Sequence, residues 1–120
     1  MPVQKILVVD DSPTERHFLA TLLGKNGYQV SLAEDGNQAL EQAKRVQPDL
    51  ILMDVVMPGL NGFQATRAIS RDDTLKHIPV ILCTTKDQET DKIWGLRQGA
   101  IDYIVKPVDG KVLLEKIRSI

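Results

Sequence analysis

The sequence predicts an α/β fold: a doubly wound sheet of five parallel strands with helices on both faces, in one domain spanning residues 1–120. Three observations predict it. Five short apolar runs alternate with segments of helical periodicity, the pattern of repeated strand–helix units. The first, third and fourth runs are apolar almost without interruption, as strands buried on both faces are. Glycine and proline punctuate the chain at the junctions, from Gly24 and Gly27 through Pro58-Gly59 to Pro107 and Gly110.

Each element has its own signal. The first strand is "KILVVD", Lys5 to Asp10. "SPTE", Ser12 to Glu15, then reads as a capping box with proline at the first helical position. Phe18, Leu19, Leu22 and Leu23 recur at helical spacing behind it. "YQVSLA", Tyr28 to Ala33, alternates more and suits an edge strand. Ala39, Leu40, Ala43 and Val46 give the second helix its apolar stripe. "LILMD", Leu50 to Asp54, is the central strand, and Asn61 with Gln64 offers a cap for the third helix. "PVILCT", Pro79 to Thr84, is the fourth strand, with Cys83 as a small hydrophobe inside it. Thr85, with Gln88 three residues on, is a candidate cap for the fourth helix, whose apolar pair is Ile93 and Leu96. Trp94 on that helix suits packing or a surface anchor. "DYIVK", Asp102 to Lys106, precedes a last helix marked by Leu113, Ile117 and Ile120.

Composition removes several function classes. Hydrophobic residues make up 42% of the 120 and the net charge is -1, which fits an ordinary globular chain. No basic excess points to nucleic acid. No apolar run reaches the length of a membrane span, and "MPVQKILVVDD" meets two acids too early for a secretory signal. One cysteine excludes an internal disulfide. A cytoplasmic monomer is the expectation. His17 and His77 lack metal-ligand spacing, and neither GxxxxGK[ST] nor GxGxxG is present to cradle a nucleotide.

In sheets of this kind ligands bind beyond the carboxyl ends of the strands. Those ends carry Asp10-Asp11, Asp54, Thr84 and Lys106. Three carboxylates crowded at the rim of an apolar core repel one another unless a cation sits among them. Hard oxygen ligands, few in number, suit Mg²⁺, which keeps waters and accepts phosphate oxygens. Lys106 adds a second positive charge and Thr84 a hydroxyl. Together they fit stabilisation of a phosphoryl group passing to a carboxylate nucleophile.

The set "VVDDS", "LILMDVVMPGLNGF", "PVILCTT" and "GAIDYIVKPVD" resembles the receiver domains of two-component response regulators, the CheY family. The resemblance covers essentially the whole chain, and its separated motifs stand in the family's order and spacing. It implies the flavodoxin/CheY-like strand order 2-1-3-4-5. It also implies residue roles. Asp54 matches the phosphoacceptor. Asp10, Asp11, Asp54 and the backbone carbonyl of Val56 match the Mg²⁺ ligands. Lys106 and Thr84 match the groups that contact phosphoryl oxygens. Thr84 and Tyr103 match the switch pair, and the Lys106-Pro107 bond matches one typically cis. Lys92, Tyr103 and Val105 match the output face. Val56 and Lys86, two residues after Asp54 and Thr84, match positions that tune phosphoryl lifetime.

The implied partners are a chemotaxis-type sensor histidine kinase, or its phosphotransfer domain, and an unidentified output protein. "MPGLNGFQATRAI" with "TTKDQETDKIWGLRQGAIDYIVKPVD" is similar to stand-alone receivers that serve type IV pili and twitching motility. No output domain is expected, so the signal would leave through a protein contact. A phosphate sink for a shared kinase is the alternative output.

Two rivals use related folds. A Mg²⁺-dependent phosphatase of the haloacid-dehalogenase type places its acids as D-x-D after the first strand. Here the adjacent pair follows the first strand and the lone acid follows the third, so the chain reads as no enzyme beyond its own phosphorylation and dephosphorylation. A flavodoxin-like module needs a hydroxyl- and glycine-rich loop where this chain has "DDSPTE".

Overall fold

The computed structural model describes residues 2–120. Strand and helix alternate throughout: β1 (Lys5–Val9), α1 (Pro13–Lys25), β2 (Gln29–Ala33), α2 (Gly36–Val46), β3 (Leu50–Met53), α3 (Gly62–Arg71), β4 (Val80–Thr84), α4 (Glu89–Arg97), β5 (Asp102–Val105) and α5 (Gly110–Arg118). The sheet runs β2-β1-β3-β4-β5 with every pairing parallel. Both the fold class and the strand order are as expected, and β2 does lie at an edge.

The strand period of two divides the core. Leu7, Val9, Ile51, Met53, Val80 and Leu82 face one layer, with Ala39 and Ala43 of α2 and Ala65 and Ile69 of α3. Ile6, Val8, Leu50, Leu52, Ile81 and Cys83 face the other, with Leu19 and Leu23 of α1 and Leu113 and Ile117 of α5. All residues of β3 and β4 are buried, which is why these runs carry no polar alternation. The buried Cys83 thiol is pushed up to about 12 by loss of water, so it stays protonated and acts as packing.

The helix caps are mixed. Asn61 and Gln64 form the full reciprocal box expected at α3. Ser12 caps α1 by accepting from the Glu15 amide, but its own amide donates to Asp10 Oδ1 instead of the Glu15 carboxylate. The box is half made because the neighbouring acid captures the amide. Thr85 does not cap α4. Its N-cap is Gln88, with no side-chain bond.

The apolar pair expected to seat α4 is also corrected. Ile93 and Leu96 are 46% and 48% exposed. Gly95 is the buried position. A Cβ there would lie 2.7 Å from Leu82 Cδ1 and 3.2 Å from the Tyr103 ring. The helix backbone is seated on Leu82 and Tyr103 through a glycine, which turns the flanking apolar side chains outward. Trp94, 48% exposed, lies on the surface.

The start of β1 is tied to the start of β3 by one carboxylate. Asp49 Oδ2 accepts from the amides of Gln4 and Lys5, each at 2.9 Å. The Lys5 amide, then the Gln4 amide, hold the Asp49 pKa below the usual carboxylate value. A depressed pKa adds stability that is present above the unfolded value and lost as pH falls through the folded one. Asp49→Ala should therefore cost about 1 kcal/mol at neutral pH, a figure kept small by solvent screening. The gap to wild type should close below roughly pH 4. Urea melts across that range measure it. A gap that stays constant with pH would rule out the carboxylate as its source.

Candidate functional site

β1, β3 and β4 end together at one edge of the sheet, and each hands over a polar residue where its ladder stops. Asp10 follows β1, and its amide still donates to the Ala33 carbonyl at 3.1 Å. Asp54 follows β3, with its amide on the Val9 carbonyl at 2.9 Å. Thr84 closes β4, and its carbonyl accepts the Lys106 amide at 2.8 Å. The backbone ladders thus carry these side chains to one place, beyond the carboxyl ends of the strands.

Asp10, Asp11 and Asp54 each offer an oxygen, and these atoms lie within 4.8 Å of one another. Asp10 and Asp54 are buried, 2% and 7% exposed, while Asp11 is open to solvent. Lys106 Nζ donates to Asp10 Oδ2 at 2.6 Å and to Asp54 Oδ2 at 3.3 Å. Burial alone would push this ammonium down. The hydrogen bond to Asp10 and the attraction of Asp54 and Asp10 outweigh that effect and hold it above the ordinary lysine value. It is a permanent cation against an acid cluster. An oxygen-only donor set with a solvent-open acid matches a hard divalent cation that retains water. The three carboxylates therefore fit a divalent cation such as Mg²⁺.

The remaining residues frame this cluster. Asp54 Oδ1 accepts from the Val56 amide at 3.3 Å. Val56 is 54% exposed and bounds, with Lys86 and Trp94, a shallow groove of about 470 Å³. The fully buried Thr84 hydroxyl accepts from the Lys86 amide at 3.4 Å. The Tyr103 ring is buried, and its hydroxyl donates to the Lys86 carbonyl at 2.9 Å. Burial foremost, then Asp91 and Asp54, pushes the Tyr103 phenol up to about 12, so it remains a donor. Lys86 thereby joins Thr84 and Tyr103 through its two backbone groups. Lys92 on α4 and Val105 on β5 are half-buried. The Lys106-Pro107 bond is cis.

Two contributors were not singled out from sequence. Gly62 opens α3 directly against the site backbone: its amide donates to the Val55 carbonyl, and a Cβ would lie 2.1 Å from the Asp54 carbonyl oxygen. Arg16 donates to the Asp10 carbonyl at 2.7 Å. Neither carries a spacing signal, since both act through main-chain atoms.

A parallel sheet thus carries an acid triad and a lysine at its carboxyl edge. Residues 6–118 match the response regulator receiver domain family, and the chain belongs to that family. It is 56% identical to protein PilH of Pseudomonas aeruginosa over 116 residues, covering 97% of this chain and 96% of that protein. Among solved structures it is similar to the chemotaxis protein CheY4 of Vibrio cholerae, with TM-score 0.91, 33% identity and 98% of each chain covered. It is also similar to the receiver domain of the Pseudomonas aeruginosa sensor histidine kinase PA1611, described with a magnesium ion coordinated in its active site cleft. There the TM-score is 0.89 at 34% identity, covering 98% of this chain and 96% of that one. No helix among the described residues is long and apolar enough to cross a membrane.

Proposed function

We propose that the chain is a response regulator receiver that takes a phosphoryl group onto Asp54 and relays its presence through a protein contact. The observation that carries this reading is the convergence of three carboxylates and a half-buried, charged Lys106 at the ends of β1, β3 and β5. The magnesium-bearing receiver among its structural relatives supports the choice of cation.

In this mechanism an Asp54 oxygen attacks the phosphorus of a phosphohistidine on a sensor kinase or its phosphotransfer domain. The nitrogen–phosphorus bond breaks as the oxygen–phosphorus bond forms, and the imidazole leaves with the electron pair. Asp10, Asp11, Asp54 and the Val56 carbonyl would hold Mg²⁺, which when bound would neutralise charge on the transferring oxygens. Lys106 exchanges its carboxylate partners for a phosphoryl oxygen, and Thr84 turns its hydroxyl to another. That turn releases the Lys86 amide, whose carbonyl side holds Tyr103. The change therefore reaches the face containing Lys92, Tyr103 and Val105 and biases an existing equilibrium. The similarity to PilH supports a role in type IV pilus control.

Acetyl phosphate tests the core of this reading, with acetate as the leaving group. One phosphoryl adduct by intact mass, dependent on Mg²⁺, is the expected result. No adduct, with no beryllium fluoride complex either, would overturn it.

Phosphoryl lifetime follows from the groove. The apolar Val56 side chain at its rim offers no hydrogen bond to an attacking water. Val56→Asn should shorten the lifetime of the acyl phosphate, by about threefold if one hydrogen bond of roughly 0.7 kcal/mol is gained. Decay of the phosphorylated mass over time measures it, and unchanged decay would exclude Val56 as a determinant.

A further inference from the structure

Asp10 is held from every side, and Asp11 is not. The Asp10 amide is bonded to Ala33, its Oδ1 accepts from the Ser12 amide and its Oδ2 accepts from Lys106. The Asp11 carboxylate is exposed and takes no hydrogen bond among the described residues. The peptide that joins it to Asp10 anchors the backbone that carries it. The oxygen of that peptide is gripped by Arg16, whose Nη1 donates at 2.7 Å. The Arg16 side chain is only 13% exposed, and its Nη2 reaches Glu34 Oε1 at 3.4 Å. Glu34 stands just beyond β2, where its amide donates to Gln38 Oε1 of α2. The guanidinium therefore ties the turn after β1 to the end of the neighbouring strand.

We propose that Arg16 is a positioning residue for the cation site. By fixing the Asp10–Asp11 peptide it aims the Asp11 carboxylate at the cluster formed with Asp10 and Asp54. This inference rests on the Mg²⁺ reading of that cluster. Two physical effects of Arg16 oppose each other, which makes the inference decidable. A positive charge beside a cation site weakens binding, so on charge alone its removal tightens Mg²⁺. Orientation works in the opposite sense, because losing a support for a ligand costs affinity.

The experiment is calorimetric titration of Mg²⁺ into wild type, Arg16→Met, Arg16→Lys and Glu34→Gln. All four are held well below their melting temperatures, where lost stability alone does not change affinity. Arg16→Met should bind Mg²⁺ about tenfold more weakly, the low end for loss of an outer support. Arg16→Lys keeps the charge and one donor and should recover part of that loss. Glu34→Gln should weaken binding less than Arg16→Met. Equal or tighter binding by Arg16→Met would overturn the inference while leaving the site intact. Should Arg16→Met fail to fold, Arg16→Ala decides by the same titration: equal or tighter binding overturns the proposal and weaker binding supports it. Absence of Mg²⁺ binding by wild type would remove the underlying reading as well, and is a separate result.

Discussion

Asp54→Asn should give no phosphoryl adduct with acetyl phosphate and Mg²⁺ under conditions that label the wild type. The substitution keeps the shape of the side chain and an oxygen able to accept from the Val56 amide. It removes the anionic oxygen that would form the new bond, since a neutral amide is a poor nucleophile at phosphorus. It also removes one of the two carboxylates that hold Lys106, leaving Asp10 at 2.6 Å. A cooperative melt close to that of wild type would show that lost labelling is lost chemistry. An adduct of equal yield on the variant, mapped to another residue, would reassign the acceptor and with it the mechanism.

Gly62→Ala should be the most damaging alanine substitution among the chain's glycines. The new Cβ would stand 2.1 Å from the Asp54 carbonyl oxygen and 2.8 Å from Val55 Cα. Both are backbone atoms, so no rotamer change relieves the clash. Either α3 backs away, giving up the bond from the Gly62 amide to the Val55 carbonyl, or the strand end carrying Asp54 moves. A loss of about 3 kcal/mol is expected, with melting lowered by roughly 10 °C. Labelling of Asp54 should fall in the fraction that remains folded. Gly24, near the end of α1, is the control, because a Cβ added there would have nothing within 4 Å. There the same substitution should be neutral or stabilising by up to about 1 kcal/mol, from helix propensity. If the two variants melt alike, the close approach at Gly62 is not what fixes the site.

The legible part of the site was its side-chain chemistry. Asp10, Asp11, Asp54, Thr84 and Lys106 stand at the ends of runs whose apolar character marks them as buried strands. A charged residue at the end of such a run is conspicuous in one dimension. The parallel arrangement then follows from strand–helix alternation, and with it the meeting of those ends. Roles that work through main-chain atoms left no such mark. Arg16 reads as an ordinary polar residue in the first turns of a helix, and Gly62 as a residue after a cap.

α4 shows where periodicity misleads. Ile93 and Leu96 have the spacing of a buried stripe, yet they face outward because Gly95 lets the backbone approach Leu82 and Tyr103. A missing side chain has no hydrophobicity to count, so the contact that seats the helix is invisible to any apolar pattern. Thr85 likewise has a capping residue's chemistry, but the chain runs on to Gln88 before turning.

The sequence by itself determined the class of fold, the order of its elements and which polar side chains stand at the strand ends. These depend on composition and spacing along one chain, which the strand and helix periods convert directly into faces and ends. Only the tertiary structure decided how Lys106 divides itself between Asp10 and Asp54, how Lys86 couples Thr84 to Tyr103, and which peptide Arg16 grips. The Lys106 and Tyr103 contacts join residues far apart in the chain. They are set by how closely helices and strands pack, and no local pattern encodes them.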